Sequence, residues 1–257
     1  MTELIHSEVR AGVATITLDS PANRNALSVA LVAQLQQALV AADTDPAVRV
    51  ILLTHTGPVF CSGADLKETA AATASGEMPA SGLGGVLEAI WNGAKPVVAR
   101  VAGPARAGGL GLIAAADIAV CTRAATFAFS EVRIGVIPAV ISTTVLPRLA
   151  PRAAAELYLT GDVFDGVRAA EIGLVSRAVE PDDLDPTVEQ LCASVVRGAP
   201  GALAGAKALL RRTPLATLGD DIAALTETSV LYFGSAEGRE GIEAFRAKRD
   251  PNWIPKP

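Results

Sequence analysis

The chain predicts an α/β fold, and three observations carry that expectation. Apolar, strand-like runs at Val48 to Thr54, Val97 to Val101, Ile118 to Cys121 and Thr126 to Phe129 are interleaved with segments of helical periodicity. Two of these runs lead into glycine-bearing turns about forty residues apart: Phe60-Cys61-Ser62-Gly63-Ala64-Asp65-Leu66-Lys67 and Ala105-Arg106-Ala107-Gly108-Gly109-Leu110-Gly111. Beyond Val179 the pattern becomes mostly helical. Alternation of strands and helices alone favours a doubly wound sheet.

In chain order, Val13 to Leu18 alternates as a strand, and Ser28 is placed to cap a helix running to about Ala42. That helix lies in an uncharged run, Asn25 to Ala42, but Gln34, Gln36 and Gln37 make it amphipathic and not a membrane span. Glu68 to Gly85 is rich in Ala, Gly and Ser, is interrupted by Pro79, and reads as a mobile loop. Helices are expected near Gly109 to Ala116, Ala139 to Leu146 and Arg152 to Leu159. The tail supplies Leu184 to Arg197, Leu203 to Arg212, Ile222 to Tyr232 and Ala236 to Arg249.

Half of the 257 residues are hydrophobic, so a large core is available. A net charge of −5 argues against general nucleic-acid or anionic-membrane binding. The N-terminus lacks a basic patch followed by an apolar stretch, so no signal peptide is expected. Cys61, Cys121 and Cys192 are odd in number and widely spaced, which fits reduced thiols in a cytoplasmic protein. The only histidines, His6 and His55, lie far apart, against both a metal site and a Ser-His-Asp triad.

The two turns carry the chemistry. Each can aim a free backbone N–H, from Ala64 and from Gly108, into a common cleft, and two such donors on one carbonyl oxygen make an oxyanion hole. Gly108-Gly109 opens an apolar helix whose N-terminal dipole favours negative charge, and neither glycine has a Cβ to block a ligand. The bland alternative is that both segments are merely tight turns. Glu131 follows the strand-like Phe127-Ala128-Phe129-Ser130, where desolvation raises a carboxyl pKa toward general acid/base work. Its bland alternative is an ion pair, for instance with Arg133. Asp65 reads as a helix cap, Asp117 as structural, and Trp91 as a packing residue.

The lettering resembles the crotonase, or enoyl-CoA hydratase/isomerase, superfamily over nearly the whole chain. Asn23-Arg24-Asn25-Ala26-Leu27-Ser28, the Ser62 to Lys67 run, Lys95-Pro96-Val97-Val98-Ala99 and Glu131-Val132-Arg133-Ile134-Gly135 stand in that family's order. Thr160-Gly161-Asp162, Gly173-Leu174-Val175 and Ala244-Phe245-Arg246-Ala247-Lys248-Arg249 extend the match.

The resemblance implies a crotonase-like spiral of ββα units at residues 1–196. It also implies a helical region at 197–257 that builds trimers, commonly stacked as hexamers. It places a CoA thioester against Arg24, Ala26, Ala64, Asp65, Leu66, Lys67, Gly108, Phe245 and Lys248, with Lys248 serving a neighbouring subunit and Phe245 packing near the acyl pocket. Coenzyme A is then the substrate's handle, and no metal or redox cofactor is expected.

Gly111 departs from the two-glutamate pattern, because hydratases of that kind carry their first glutamate there. Glu131 is left as the single acid, and Gly111→Glu is expected to leave activity intact or raise it if the carboxylate fits. The first reading is hydration of a trans-2-enoyl-CoA. A Δ3-Δ2-enoyl-CoA isomerase is the second, and a non-catalytic acyl-CoA-binding homologue the third.

Overall fold

The computed structural model describes residues 2–65, 67–68 and 82–255. Its strands are β1 (Ile5–Arg10), β2 (Val13–Leu18), β3 (Val50–His55), β4 (Val97–Val101), β5 (Ala105–Arg106), β6 (Ile118–Thr122), β7 (Thr126–Ala128), β8 (Phe164–Asp165) and β9 (Arg177–Val179). The helices are α1 (Val29–Thr44), α2 (Leu83–Asn92), α3 (Gly108–Ala115), α4 (Ala139–Val145), α5 (Pro151–Thr160), α6 (Gly166–Glu171), α7 (Pro181–Val196), α8 (Pro200–Arg211), α9 (Leu218–Gly234) and α10 (Ala236–Ala247).

The main sheet runs β1-β2-β3-β4-β6-β9, with β1 antiparallel to β2 and every later pairing parallel. Between β1 and β2, Ala11 and Gly12 both hold positive φ, 49° and 82°, as a two-residue turn with a right-handed twist requires. The parallel strands are buried on both faces, which is why they read as continuous apolar runs. Val50, Val98 and Val120 face α7, packing on Leu184, Val188 and Cys192. Their neighbours Ile51, Leu53, Val97 and Cys121 face the larger core beneath α1, α2 and α3. Ser28 caps α1 by accepting from Leu31 N at 3.2 Å, and Leu31, Leu35 and Leu39 carry its buried stripe.

A second sheet, β5-β7-β8, separates this fold from the doubly wound arrangement that alternation alone favoured. Two main-sheet strands, β4 and β6, are each followed by a short strand of the second sheet and only then by a helix: β4, β5, α3, then β6, β7, α4. That is the ββα repeat of a crotonase-like spiral. Two-residue strands leave no periodicity to read, so the pattern of the long strands was misleading on this point.

The helical tail is present, and its first helix is pinned to the core. Lys207 on α8 donates to the Ile90 and Lys95 carbonyls at 2.8 Å each and pairs with Asp117 at 3.0 Å. Arg211 also pairs with Asp117 and stacks 3.8 Å over Trp91, whose ring lies 4.9 Å from Arg148 as well. Asp117 and Trp91 are structural here, as the sequence suggests. The helices α9 and α10 leave Leu218, Leu231, Phe233 and Phe245 largely exposed. Phe245, expected to pack, is 86% exposed, because Ala244 occupies the inward position of α10. Among the described residues no helix is long and apolar enough to cross a membrane.

Candidate active site

Three chain segments lie side by side in parallel. Cys61 bridges Ala105, and Ala105 and Arg106 pair with Phe127 and Ala128. Arg106 N donates to Cys61 O at 3.0 Å, and Ala107 N reaches Ala128 O at 3.4 Å. Because the segments are parallel, their C-terminal ends emerge together. Ala64 ends the first, Gly108 the second and Glu131 the third.

A fourth segment backs them. Leu27 bridges Ala64 and donates its N–H to Gly63 O at 2.8 Å, while Ser62 N donates to Arg24 O at 3.1 Å. Arg24 and Asn25 both take left-handed backbones, φ 59° and 53°. The fully buried Asn25 side chain secures that turn, accepting from Ser20 N at 2.7 Å and donating to the Thr56 and Val59 carbonyls at 3.1 and 2.8 Å.

The approach of the two turns explains their small residues. A Cβ on Gly63, at φ 93°, would stand 3.0 Å from the Ala107 methyl, and one on Gly109 would stand 2.8 Å from Cys61 Cβ. Ala107 itself holds φ 47° and ψ −118°, a strained conformation worth ~1–3 kcal/mol that turns the chain into α3. The N–H groups of Ala64 and Gly108 donate to no acceptor among the described residues, so both remain available as donors.

Gly108 has a further reason to be small beside the one expected. A Cβ there would meet Leu27 Cδ1 at 2.5 Å, so the glycine clears a protein side chain and not only a ligand. At Gly111 the condition set for Gly111→Glu, that the carboxylate fits, is not met by the packing. A Cβ at that position would lie 2.6 Å from Ile141 Cγ2 and 3.0 Å from Ile141 Cβ, so α4 fills the space an acid would need. Thr144 locks the same contact by donating to Gly111 O at 3.2 Å.

Glu131 sits in a 3-10 turn, Ser130–Ile134, directly after β7, and is only 9% exposed. Burial pushes its carboxyl pKa upward, opposed by a hydrogen bond from its own backbone. Its Oε2 is buried without a hydrogen-bond partner among the described residues. The ion-pair alternative fails, because Arg133 turns away to Thr160 O at 2.6 Å and Asp162 at 2.7 Å. Two groups unnoticed in the sequence stand nearby. Tyr158 packs at a tilt against Phe129, ring centroids 4.6 Å apart, and its hydroxyl lies 3.4 Å from Ser142 Oγ. In the sequence Tyr158 is only one more residue of a helical run, with nothing to mark which face it takes.

Of the remaining candidates, Ala26 is buried behind the first turn, and Arg24 and Lys67 are exposed at its edge. Asp65 caps as expected, accepting from Lys67 N at 3.0 Å and Glu68 N at 3.3 Å. Leu66, and the part of the Glu68–Gly85 loop at 69–81, lie outside the described residues. Among those described, no hydrogen bond, ion pair or ring contact joins Phe245 or Lys248 to the cleft. No group of three His, Cys, Asp or Glu side chains among them is placed to hold a metal ion.

A family model described as enoyl-CoA hydratase/isomerase matches residues 8–256. The chain is similar to mevalonyl-coenzyme A hydratase of Aspergillus fumigatus, 35% identical, the alignment covering 93% of this chain and 90% of that one. It is similar to 1,2-epoxyphenylacetyl-CoA isomerase of Escherichia coli, 32% identical over the whole of both chains. Among solved structures, an enoyl-CoA hydratase of Mycobacterium smegmatis superposes with a TM-score of 0.88 at 32% identity, covering 98% of this chain and 99% of that one.

Proposed function

The chain belongs to the enoyl-CoA hydratase/isomerase family, and from that premise we propose that it adds water across the double bond of a trans-2-enoyl-CoA thioester. One observation carries the reading: a buried carboxyl with an unpartnered oxygen emerges beside two unspent backbone N–H groups. The thioester oxygen accepts from Ala64 N and Gly108 N, which polarises the conjugated double bond. Glu131 takes a proton from water as the water oxygen bonds to C3, and the negative charge collects on the thioester oxygen as an enolate. Glu131 then gives that proton to C2, so the atoms of one water are added and the carboxylate is restored.

Coenzyme A enters as part of the substrate, and the reaction as written uses no other cofactor. Arg24 and Lys67, exposed beside the first turn, would meet its phosphates, with the Asp65 backbone beside the nucleotide. Lys248 and Phe245 would come from a neighbouring subunit: the exposed apolar side chains on α9 and α10 favour a covering partner, which a homotrimer or a dimer of trimers would supply. Three buried, unpaired thiols suit a reducing cytoplasm.

The second reading, Δ3-Δ2-enoyl-CoA isomerisation, is favoured by Ile141, which excludes a second carboxylate at position 111. One base suffices to move a proton between C2 and C4. Incubation with short, medium and branched trans-2-enoyl-CoA thioesters in heavy-oxygen water separates the readings. Hydration gives a product heavier by one labelled water, with the label at C3. Conversion of 3-enoyl thioesters with no labelled product from any chain would replace the first reading by the second.

A further inference from the structure

Helix α5 is stitched to the turn that carries Glu131. Arg133 binds Thr160 O at 2.6 Å, and Tyr158 packs 4.6 Å from Phe129, two residues before the carboxylate. The Tyr158 hydroxyl stands 3.4 Å from Ser142 Oγ. Ser142 has a single proton, and the Pro138 carbonyl, 2.6 Å away, can only accept, so that bond takes it. The phenol proton is left with one long contact to Ser142 Oγ and is loosely held. Glu131 Oε2, meanwhile, is buried without a partner.

The other groups around Glu131 are engaged elsewhere. Helices α3 and α4 carry no titratable side chain. Arg106 on β5 binds Ala105 O and Thr126, Arg133 holds Asp162, and Glu156 on α5 pairs with Arg168. The charge of Glu131 helps to raise the Tyr158 pKa, although burial contributes more, so the two groups are within electrostatic reach.

We propose that Tyr158 is the positioning residue of Glu131, its hydroxyl turning from Ser142 to donate to the carboxylate directly or through the water held there. This rests on Glu131 being the acid/base group. The donor would orient the carboxylate and favour its charged form, offsetting part of the desolvation that burial imposes.

A titration of the full-length protein with carboxyl-¹³C-labelled glutamate tests it, with Glu131→Gln assigning the resonance. Tyr158→Phe removes the donor, so the Glu131 midpoint rises. Ser142→Ala removes the competing acceptor, so the midpoint falls. An unmoved or lowered midpoint in Tyr158→Phe, or a raised one in Ser142→Ala, overturns the proposal. Should Tyr158→Phe not fold, Ser142→Ala alone decides by the sign of its shift. In turnover, Tyr158→Phe is expected to lower kcat ~10–10²-fold with KM held. The titration needs no turnover. A wild-type protein that adds water to no enoyl thioester therefore removes the hydratase reading and leaves the Tyr158–Glu131 coupling measurable.

Discussion

The buried carboxyl of Glu131 and the largely buried one of Asp117 lie a short stretch of chain apart, and their surroundings are opposite. Asp117 accepts from Val97 N at 2.8 Å and pairs with both Lys207 and Arg211. Among the described residues, Glu131 has a buried oxygen with no hydrogen-bond partner and forms no ion pair. A carboxylate whose lone pairs are all taken is a fastener. One kept dry and unsatisfied has affinity left for a proton, which is what a general acid/base requires. The fold places the first between core and tail and the second where three parallel segments end.

The strongest way to break this contrast is to neutralise each acid in turn. Glu131→Gln keeps the shape and should lower kcat ~10²–10⁴-fold while the fold and thioester binding hold. An unaltered kcat would show that the unsatisfied carboxyl is not the reacting group and would favour a non-catalytic acyl-CoA-binding protein. Asp117→Ala should do the reverse. It strands two buried cations and should destabilise the protein by ~3–5 kcal/mol, read by denaturant unfolding, with kcat per folded molecule little changed. Removing the chain after about Arg197 takes away Lys207 and Arg211 together, so the remaining core should be poorly soluble. Ordinary stability in Asp117→Ala would demote the network to a surface ornament.

The sequence makes one side of this contrast far more legible than the other. Glu131 stands at the end of a visible apolar strand, and the turns around Gly63 and Gly108 announce themselves by their small residues. The fastening of Asp117 could not be read, because Lys207 and Arg211 are some ninety residues away and look like solvated charges on a tail helix. The long apolar strands and helices α1, α3, α4 and α5 are readable to within about two residues. By contrast, α7, α8 and α9 begin three to four residues before the expected Leu184, Leu203 and Ile222, and α6 is not anticipated. β1 is not readable, since only Ile5 of its six residues is buried and the rest offer no apolar alternation. α2 is missed too: it begins inside the Glu68–Gly85 stretch read as loop and runs on to Asn92, although Leu83, Val86, Leu87 and Ile90 give it a buried stripe.

A smaller effect sharpens the comparison by adding an acid where none fits. Gly111→Glu, which the family pattern suggests would be harmless or helpful, drives a side chain into Ile141 and should cost ~1–3 kcal/mol of stability through overpacking. Combining it with Ile141→Ala should recover part of that loss. Undiminished stability and faster hydration in the single variant would mean that α4 yields and the site accepts two carboxylates.

The smallest effect expected is a pH dependence of stability that belongs to Glu131. Burial raises its folded pKa above the unfolded value, so folding favours the protonated form. The stability this group permits is complete below the ordinary carboxylate pKa and is lost as pH rises through the raised folded pKa. Glutamine carries no such proton. Wild type and Glu131→Gln should therefore respond alike to acid below that window, and the variant should become relatively more stable through it, reaching a plateau above. Denaturant unfolding of both proteins from pH about 4 to about 8 reads the difference directly. The acid limb of kcat/KM should fall in the same window, because both report one desolvated carboxyl. Parallel stability curves throughout would show that water reaches Glu131, and the contrast with Asp117 would then rest on hydrogen bonding alone.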